Sequence, residues 1–348
     1  MCAFERSEKG MKFFMKKVYI VTGANGFLGN TIVKKLINQG NEVRALVLPD
    51  DKLHSLDGVN CKIYKGDVTK KETLNEIFDV SGDTELYVIH CVAIVYIKSK
   101  YDPKVYDVNV NGTKNIIDKV LEKNAKLVYV SSVHAIPEKP NGEVMTEITD
   151  FDPDKVHGEY AKTKAEIANY VLEMCKTKNL NACIMQPSGI IGPNDYGRSH
   201  LTEMILDCAK GSLTACVKGG YDFVDVRDVA DGVINACEYG RKGECYILSN
   251  KYVEVEELLN MVCDSLGKKR IKTVLPMWFA KLTAPLSEIY YKILKQPPLY
   301  TKYSLLVLTS NANFSNEKAK KELKYTTRDM KETIKDTVDW LKENHRIK

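Results

Sequence analysis

The segment VYIVTGANGFLG (18–29) decides the fold of this chain, because it joins a short apolar run to an amphipathic segment through a glycine-rich turn. Residues 17–23 have the β-branched content and the terminal glycine of a buried strand. Residues 26–38 repeat apolar side chains at helical spacing, with Leu28 and Ile32 on the inner face. A buried strand that turns through glycines into a helix is typical of the first unit of a parallel α/β sheet.

The same alternation continues along the chain. Apolar strands are predicted over 42–48, 61–65, 86–92, 126–131 and 180–187, and helices over 70–78, 105–122 and 160–176. Strands that are apolar along their whole length indicate a parallel sheet covered on both faces, and right-handed crossovers make such a sheet doubly wound. The pattern then predicts a loop over 189–198, a helix to 209, a strand from 222, a helix over 227–239 and a strand over 245–249 that returns to the main sheet.

The predicted fold class is therefore α/β, a doubly wound parallel sheet with a smaller, interleaved C-terminal domain. The predicted domains are an N-terminal extension (1–14), a dinucleotide-binding domain (15–187 and 221–250) and a substrate-binding region (188–220 and 251–348). Ligands of such sheets bind beyond the carboxyl ends of the strands, so the motifs at those ends are expected to converge.

Composition excludes several classes of protein. The chain has 348 residues, 44% of them hydrophobic and 28% charged, which is the balance of a globular protein. Its net charge of +5 (51 − 46), without dense basic runs, indicates no nucleic-acid partner. Ten scattered cysteines without metal-ligand spacing indicate no metal and a reducing, cytoplasmic location. No apolar run is long enough to span a membrane.

The glycine-rich turn predicts a phosphate site. Gly23, Gly26 and Gly29 let the backbone approach a pyrophosphate, and the following helix offers free N–H groups and partial positive charge. An ordinary strand–helix turn is the alternative. Asp67, after the third strand, is placed to accept a hydrogen bond from an adenine amino group, or else to cap the next helix.

The choice between NAD and NADP stays open in the sequence. An acid at the end of the second strand favours a free ribose hydroxyl, whereas arginine favours a 2′-phosphate. This chain has Leu48 there. Either Asp50 or Asp51 is a candidate for the ribose, and either Arg44 or Lys52 for the phosphate.

Tyr160 and Lys164 form a candidate catalytic pair. They stand four residues apart on a predicted helix, so both side chains lie on one face. An ammonium beside a phenol lowers the tyrosine pKa from ~10, and a tyrosine tuned in this way exchanges a proton with a carbonyl or an alcohol. Ser132, at the end of the fifth strand, is expected to hydrogen-bond the same substrate oxygen.

The chain resembles the extended short-chain dehydrogenase/reductase superfamily, and within it the branch of dihydroflavonol reductases and 3β-hydroxysteroid dehydrogenases, beside the NAD-dependent epimerase/dehydratases. The motifs are TGANGFLG (22–29), GDV (66–68), VNVNGTKN (108–115), VYVSS (128–132), YAKTK (160–164), PSGIIGP (187–193) and FVDVRDVADG (223–232). The resemblance runs from Lys16 to the C-terminus and implies a Rossmann fold.

The resemblance also implies the site. The catalytic triad would be Ser132, Tyr160 and Lys164, and Asn109 would be either a relay or a brace of the sheet. The cofactor would be NADP or NAD, with the family favouring NADP. Its contacts would come from Gly23, Asn25, Gly26, Phe27, Leu28, Gly29, Asp67, Val68, Cys91, Ala93, Tyr160, Lys164, Pro187 and Ser188.

Other polar residues near these motifs have structural interpretations. His134 and His157 flank the predicted site, and each is expected to lie at the surface or to be hydrogen-bonded within the structure. Asp225 and Asp228 are expected to cap the helix that begins near Arg227.

These features predict an oxidoreductase that interconverts a ketone and a secondary alcohol. A homodimer is the oligomeric state considered. The apolar run over 276–294 predicts a sterol-like or flavonoid-like substrate, with this run as the pocket wall and some of Met277, Trp278 and Phe279 facing a ligand, a partner or a membrane surface. Two alternatives stay open. The first is a nucleotide-sugar epimerase/dehydratase, which is disfavoured because residues 186–193 lack the asparagine that such enzymes often have there. The second is a non-catalytic dinucleotide-sensing binder, which is disfavoured because Tyr160 and Lys164 are both present.

Overall fold

The computed structural model describes residues 15–96, 101–197, 199–284 and 302–347. The strands are β1 (Lys16–Thr22), β2 (Glu42–Val47), β3 (Lys62–Lys65), β4 (Thr84–His90), β5 (Lys126–Val130), β6 (Asn181–Pro187), β7 (Gly189–Ile191), β8 (Ala215–Val217), β9 (Gly220–Asp225), β10 (Cys245–Leu248), β11 (Lys251–Glu254) and β12 (Thr273–Leu275). The helices are α1 (Phe27–Asn38), α2 (Pro103–Tyr106), α3 (Thr113–Glu122), α4 (Glu159–Thr177), α5 (His200–Lys210), α6 (Val226–Tyr239), α7 (Val255–Ser265), α8 (277–284 in its described part), α9 (Lys302–Val307), α10 (Glu317–Leu323) and α11 (Met330–Glu343).

The main sheet has seven parallel strands in the order β10-β6-β5-β4-β1-β2-β3. From β1 the chain proceeds outward to β3, and it then returns to β4 and proceeds outward in the other direction. This confirms the predicted doubly wound sheet. The direction reverses between β1 and β4, and the carboxyl ends of these two strands open the crevice in which such sheets bind their ligands.

Helices cover both faces of this sheet. On one face Leu36 of α1 and Val233 of α6 are fully buried against the strands, and Leu323 of α10 packs beside them. On the other face Ile117 of α3 and Ile167 of α4 are fully buried. Two apolar layers explain why the strands carry no polar face.

The smaller region contains a second sheet, in the order β11-β9-β7, and the pair β12-β8. β10 returns to the main sheet as predicted, whereas β9 pairs with β7 and β11 in the smaller sheet although it lies at the start of the predicted 221–250 segment. The predicted loop over 189–198 is wrong at its start, because residues 189–191 pair with β9 as a strand. The division into two domains stays a prediction.

The predicted helix over 70–78 is also wrong. The structure has a short 3-10 turn, Lys71–Leu74, followed by non-helical turns. The Thr73 hydroxyl donates to the carbonyl oxygens of Lys70 (2.7 Å) and Asp67 (3.0 Å). A side chain that satisfies backbone carbonyls in this way competes with the helical hydrogen bonds.

Candidate active site

The glycine-rich turn is shaped by close backbone contacts. Gly23 has a φ of +65°, and a Cβ atom there would lie 3.2 Å from the backbone N of Val92, in the segment that follows β4. A Cβ atom at Gly29 would overlap the carbonyl oxygen of Gly23. Both positions therefore require glycine for the turn to pack against α1 and against the adjoining loop.

The N-terminus of α1 is suited to an anion. The Gly26 position before the helix is exposed, no side chain caps its N–H groups, and no acidic residue stands in the first turn. The partial positive charge of a 12-residue helix is thus left for a ligand at the carboxyl end of β1. These features fit the pyrophosphate of a dinucleotide, as the sequence predicts.

Asn25 braces this turn. Its side-chain amide donates to the carbonyl oxygen of Lys52 (2.7 Å), and the Ser55 hydroxyl donates to the Asn25 carbonyl oxygen (3.1 Å). The turn is thereby tied to the segment that follows β2. Phe27 is half-buried beside it, and Leu28 is buried.

At the predicted adenine end, Asp67 is engaged with its own turn. One of its carboxylate oxygens accepts from the backbone N (3.0 Å) and the hydroxyl (2.8 Å) of Thr69. The predicted cap of a following helix is wrong, because only a short 3-10 turn follows and no side chain caps it. Val68 is buried against Gly112, where a Cβ atom would lie 2.6 Å from the valine side chain.

Arg44 is not placed to meet a ribose phosphate, which corrects one alternative from the sequence. It is buried, and its guanidinium donates to the carbonyl oxygens of Ile77 and Asp79, both at 2.8 Å. These two carbonyls belong to the segment that follows the 3-10 turn, and they hold the Arg44 side chain inside the protein. Asp51 accepts from the backbone N of Leu48 (3.2 Å), and Lys52 is exposed.

Tyr160 and Lys164 lie on one side of α4, as their spacing predicts, and this side is buried. The Lys164 Nζ donates to the carbonyl oxygen of Val130 (2.7 Å), the last residue of β5. It stands 4.9 Å from the ring centre of Tyr129 and 5.9 Å from that of Tyr160. Burial lowers the pKa of Lys164 to about 7.

Ser132 follows β5 directly and is buried. Its Oγ accepts from the backbone N of His134 (3.2 Å), and the short turn Val133–Ala135 packs against α4. The structure therefore brings the serine, the tyrosine and the lysine to the carboxyl end of β5, although they come from two elements.

His134 is a site residue whose role the sequence leaves undecided. Its ring stacks on Tyr221 (centres 5.7 Å apart) and meets the Tyr160 ring edge-on (6.4 Å). Burial lowers the pKa of His134 to about 4, so the imidazole is neutral near pH 7. His157, by contrast, is exposed. A single histidine in a sequence carries no signal that distinguishes these two environments.

Asn109 acts as a brace in this structure. Its side chain accepts from the backbone N of Ile94 (2.8 Å) and donates to the carbonyl oxygen of Ile94 (3.1 Å) and to the hydroxyl of Thr163 (3.2 Å). The asparagine lies in the π-helical turn Asp107–Gly112 between α2 and α3. These bonds hold the loop after β4 against α4, which favours the bracing alternative.

The remaining predicted cofactor residues lie along the same crevice. Pro187 and Ser188 follow one another at the end of β6, and the Ser188 hydroxyl donates to Asp222 (2.5 Å), whose pKa burial raises to about 6. Cys91 and Ala93 follow β4, and burial raises the pKa of the Cys91 thiol to about 12, so this thiol is neutral.

A cavity opens beside His134 between the two regions of the chain. Apolar side chains from the segment after β5, from β9, from α9 and from the segment between α9 and α10 form much of its wall: Val133, Ile136, Tyr221, Leu306, Val307 and Phe314. Polar groups at its edge include Glu138, and Lys155, which is paired with Asp152 (3.1 Å).

The predicted apolar wall over 276–294 is not confirmed where the structure describes it. Ala280 and Ala284 are buried against Val217 and Leu305, whereas Trp278 is 68% exposed, and none of residues 277–284 lines the cavity. The rest of this run, from Pro285 to Leu294, and the extension 1–14 lie outside the described residues.

Two further properties of the described residues concern metal sites and membrane spans. Among them, no group of three or more His, Cys, Asp or Glu side chains is arranged to hold a metal ion. None of the described helices has the length and apolar character needed to cross a bilayer.

Comparison with known proteins gives consistent matches over most of the chain. The NAD dependent epimerase/dehydratase family matches residues 19–249. Sterol demethylase protein B of Methylococcus capsulatus is 27% identical over 333 residues, covering 94% of this chain and 99% of that protein. The 3β-hydroxysteroid-dehydrogenase/decarboxylase isoform 1 of Arabidopsis thaliana is 26% identical and covers 92% and 78%. The crystal structure of gox2253 superposes with a TM-score of 0.81 at 32% identity, covering 95% and 99%.

Proposed function

Because the chain belongs to the NAD-dependent epimerase/dehydratase family, we propose that it is an NAD(P)-dependent oxidoreductase that interconverts a ketone and a secondary alcohol on a largely apolar substrate. The family match confirms the resemblance to the extended short-chain dehydrogenases/reductases, and with it an NAD-dependent enzyme on a Rossmann fold. The substrate, the direction of reaction and the choice of NAD or NADP belong to the proposal.

The observation that carries the proposal is that the Lys164 Nζ stands 5.9 Å from the centre of the Tyr160 ring and donates to the carbonyl oxygen of Val130, two residues before Ser132. In the direction of reduction, the Tyr160 hydroxyl donates a proton to the substrate carbonyl oxygen, and the Ser132 hydroxyl hydrogen-bonds the same oxygen. While it is protonated, which its pKa of about 7 confines to neutral and lower pH, Lys164, anchored on the Val130 carbonyl, places a positive charge near the phenol and favours its deprotonated form. The bound dinucleotide supplies or accepts the hydride.

The apolar wall beside His134 supports an apolar substrate. Ligand pockets combine apolar walls with a few placed polar groups. The neutral His134 lines this cavity and meets the Tyr160 ring edge-on, and Ser132 directly precedes Val133 of the wall, so the Ser132 and Tyr160 hydroxyls would supply polar groups at its edge. A nucleotide sugar would instead need cations for its diphosphate. Among the described residues that line the cavity, Lys155 is the one lysine or arginine, and it is already paired with Asp152.

The test is a turnover assay of the purified protein with NADH and with NADPH. Three substrate sets would be compared: sterol-like ketones, flavonoid-like ketones, and UDP- or dTDP-sugars. We expect oxidation of the reduced dinucleotide with an apolar ketone, and faster turnover with NADPH. Conversion of the nucleotide sugars alone would favour the epimerase/dehydratase alternative, and dinucleotide binding without any turnover would favour the sensing binder.

A further inference from the structure

Helix α8 presents its large apolar side chains to solvent and its small ones to the protein. Trp278 is 68% exposed, Leu282 is 69% exposed and Phe279 is 39% exposed. Ala280 and Ala284, one helical turn apart, are fully buried. A helix that serves only the core would bury the tryptophan and the leucine and expose the alanines, so the orientation of α8 is the reverse of what core packing favours.

The exposed side chains form one surface, which we call the α8 face (Trp278, Phe279 and Leu282). Trp278 and Leu282 stand four residues apart and therefore lie on the same side of the helix. The Trp278 and Phe279 rings meet edge-on with their centres 5.8 Å apart. A contiguous exposed apolar surface of this kind indicates an interaction site, and none of its residues lines the cavity of the proposed active site.

The chain around the α8 face is strongly basic. No acidic residue occurs between Asp264 and Glu288, whereas five basic residues do: Lys268, Lys269, Arg270, Lys272 and Lys281. Asp264 pairs with Arg270 (2.7 Å), and Lys269, Lys272 and Lys281 are exposed. The exposed Lys218 lies next to this segment, because its backbone N donates to the carbonyl oxygen of Leu275, two residues before α8 begins.

We propose that the α8 face and its surrounding cations bind the surface of an anionic lipid bilayer. Exposed tryptophan, phenylalanine and leucine side chains flanked by lysines are the composition of segments that lie in the membrane interface, where the apolar groups enter the acyl boundary and the ammonium groups contact anionic headgroups. A second copy of the chain fits less well as the partner. A two-fold interface brings the same surface of both copies together, so the lysines around one α8 face would meet those around the other.

This proposal rests on α8 and not on the chemistry of the cavity, so it stands or fails independently of the proposed function. If both hold, the enzyme would meet its apolar substrate at the membrane surface, where such compounds concentrate.

The chain contains two tryptophans, and this makes the test direct. Trp340 packs edge-on against Tyr196 (5.1 Å), so a W340F variant keeps an aromatic ring there and leaves Trp278 as the only tryptophan. This full-length variant is mixed with vesicles of phosphatidylcholine, with and without phosphatidylserine. We expect a blue shift of Trp278 fluorescence and co-sedimentation with the vesicles that contain phosphatidylserine, and both should weaken as salt is added.

Variants separate the apolar and the electrostatic contributions. W278A/L282A should lower vesicle binding at least about tenfold, because two large side chains no longer enter the interface. K269E/K281E should lower it by about tenfold or more through charge reversal. The matched controls are I63A, which truncates an exposed apolar residue on β3, and K123E/K321E, which reverses two exposed charges elsewhere; neither should alter binding.

Several results would overturn the proposal. They are the absence of vesicle binding, equal binding to pure phosphatidylcholine, and binding that W278A/L282A leaves unchanged while its thermal unfolding stays like that of the wild type. A wild-type dimer that W278A/L282A dissociates, without vesicle binding, would instead assign the α8 face to a second copy of the chain.

Discussion

Lys164 is the residue on which the proposed chemistry depends most, because its ammonium group is held almost out of contact with water. It is 2% exposed, it donates to the Val130 carbonyl oxygen, and its Nζ stands 4.9 Å and 5.9 Å from the ring centres of Tyr129 and Tyr160. Desolvation disfavours the charged form and accounts for the lowered pKa of about 7. The sequence predicts the lysine but not its burial, because burial depends on β5 and α4 meeting.

This burial predicts a dependence of stability on pH. The folded pKa of about 7 lies below the ordinary value of 10.5, so between these values the unfolded chain binds the additional proton. Stability therefore rises with pH in this window, whereas K164M has no group that titrates there. The free energy of unfolding of the wild type relative to K164M should increase by a few kcal/mol, on the order of ~2–4, from about pH 6 to about pH 10.

The measurement is urea unfolding of both proteins, free of dinucleotide, at several pH values. Parallel pH profiles for the two proteins would show that Lys164 is solvated and would contradict the prediction.

Tyr160 is the proposed proton donor and acceptor. Y160F keeps the ring beside Lys164 and removes the exchangeable proton, so kcat should fall by ~10²–10⁴-fold while dinucleotide affinity stays about the same. The matched control is Y129F, which removes the hydroxyl of a buried tyrosine whose ring centre lies 4.9 Å from the same lysine. Steady-state kinetics and calorimetric dinucleotide titration measure the two effects. Wild-type turnover in Y160F would remove Tyr160 from the mechanism.

At the scale of elements, the turn between β1 and α1 and the N-terminus of α6 show how local motifs become sites. Asp225 caps α6 as predicted, accepting from the backbone N of Arg227 (2.7 Å) and pairing with its guanidinium, while Asp228 pairs with Arg328. The α1 N-terminus has no such cap. One helix N-terminus is thus neutralised by the protein, and the other is left for a ligand.

Two glycines of the turn between β1 and α1 give opposite predictions for substitution. Gly26 is exposed, and its nearest neighbour to an added Cβ atom is the Gly23 carbonyl oxygen at 3.1 Å, so G26V should fold but cover the α1 N–H groups. We expect at least a tenfold weaker dinucleotide affinity, since an anion loses its approach to the helix end. G29A should instead unfold more easily, because its methyl group meets backbone.

Calorimetric titration with NADH and NADPH, together with thermal unfolding, distinguishes the two glycine variants. Unchanged affinity in a folded G26V protein would mean that the segment is only a strand–helix turn.

At the scale of the whole molecule, the cavity is assembled from both regions of the chain. The loop after β5 contributes Val133 and His134, and α9 contributes Leu306 and Val307. The apolar substrate of the proposal would meet these walls, while the dinucleotide would lie at the carboxyl ends of β1 and β4. A homodimer and a cytoplasmic location stay predictions from the sequence.

A wall substitution tests this division. L306S should raise the KM for an apolar ketone by about tenfold, because one apolar contact is replaced by a hydroxyl, and should leave dinucleotide affinity unchanged. I63S is the matched control, since Ile63 and Leu306 are both 40% exposed but Ile63 lies on the edge strand β3. An equal KM in wild type and L306S would place the substrate elsewhere.

Much of the fold and part of the site follow from local sequence. The alternation of buried strands with amphipathic helices, the glycine-rich turn and the four-residue spacing of Tyr160 and Lys164 all depend on neighbours within a few residues, so the sequence determines them by itself. The same local rules fail where a side chain overrides them, as Thr73 does in the segment predicted as a helix.

Tertiary structure alone decided the environments of the side chains. Arg44 is held by carbonyls of Ile77 and Asp79, Asn109 by Ile94 and Thr163, and the wall beside His134 includes Leu306, about half the chain away. Packing of the core left the large side chains of α8 outside. Each outcome depends on contacts between segments distant in the sequence, and burial, charge state and exposure arise only when those segments meet.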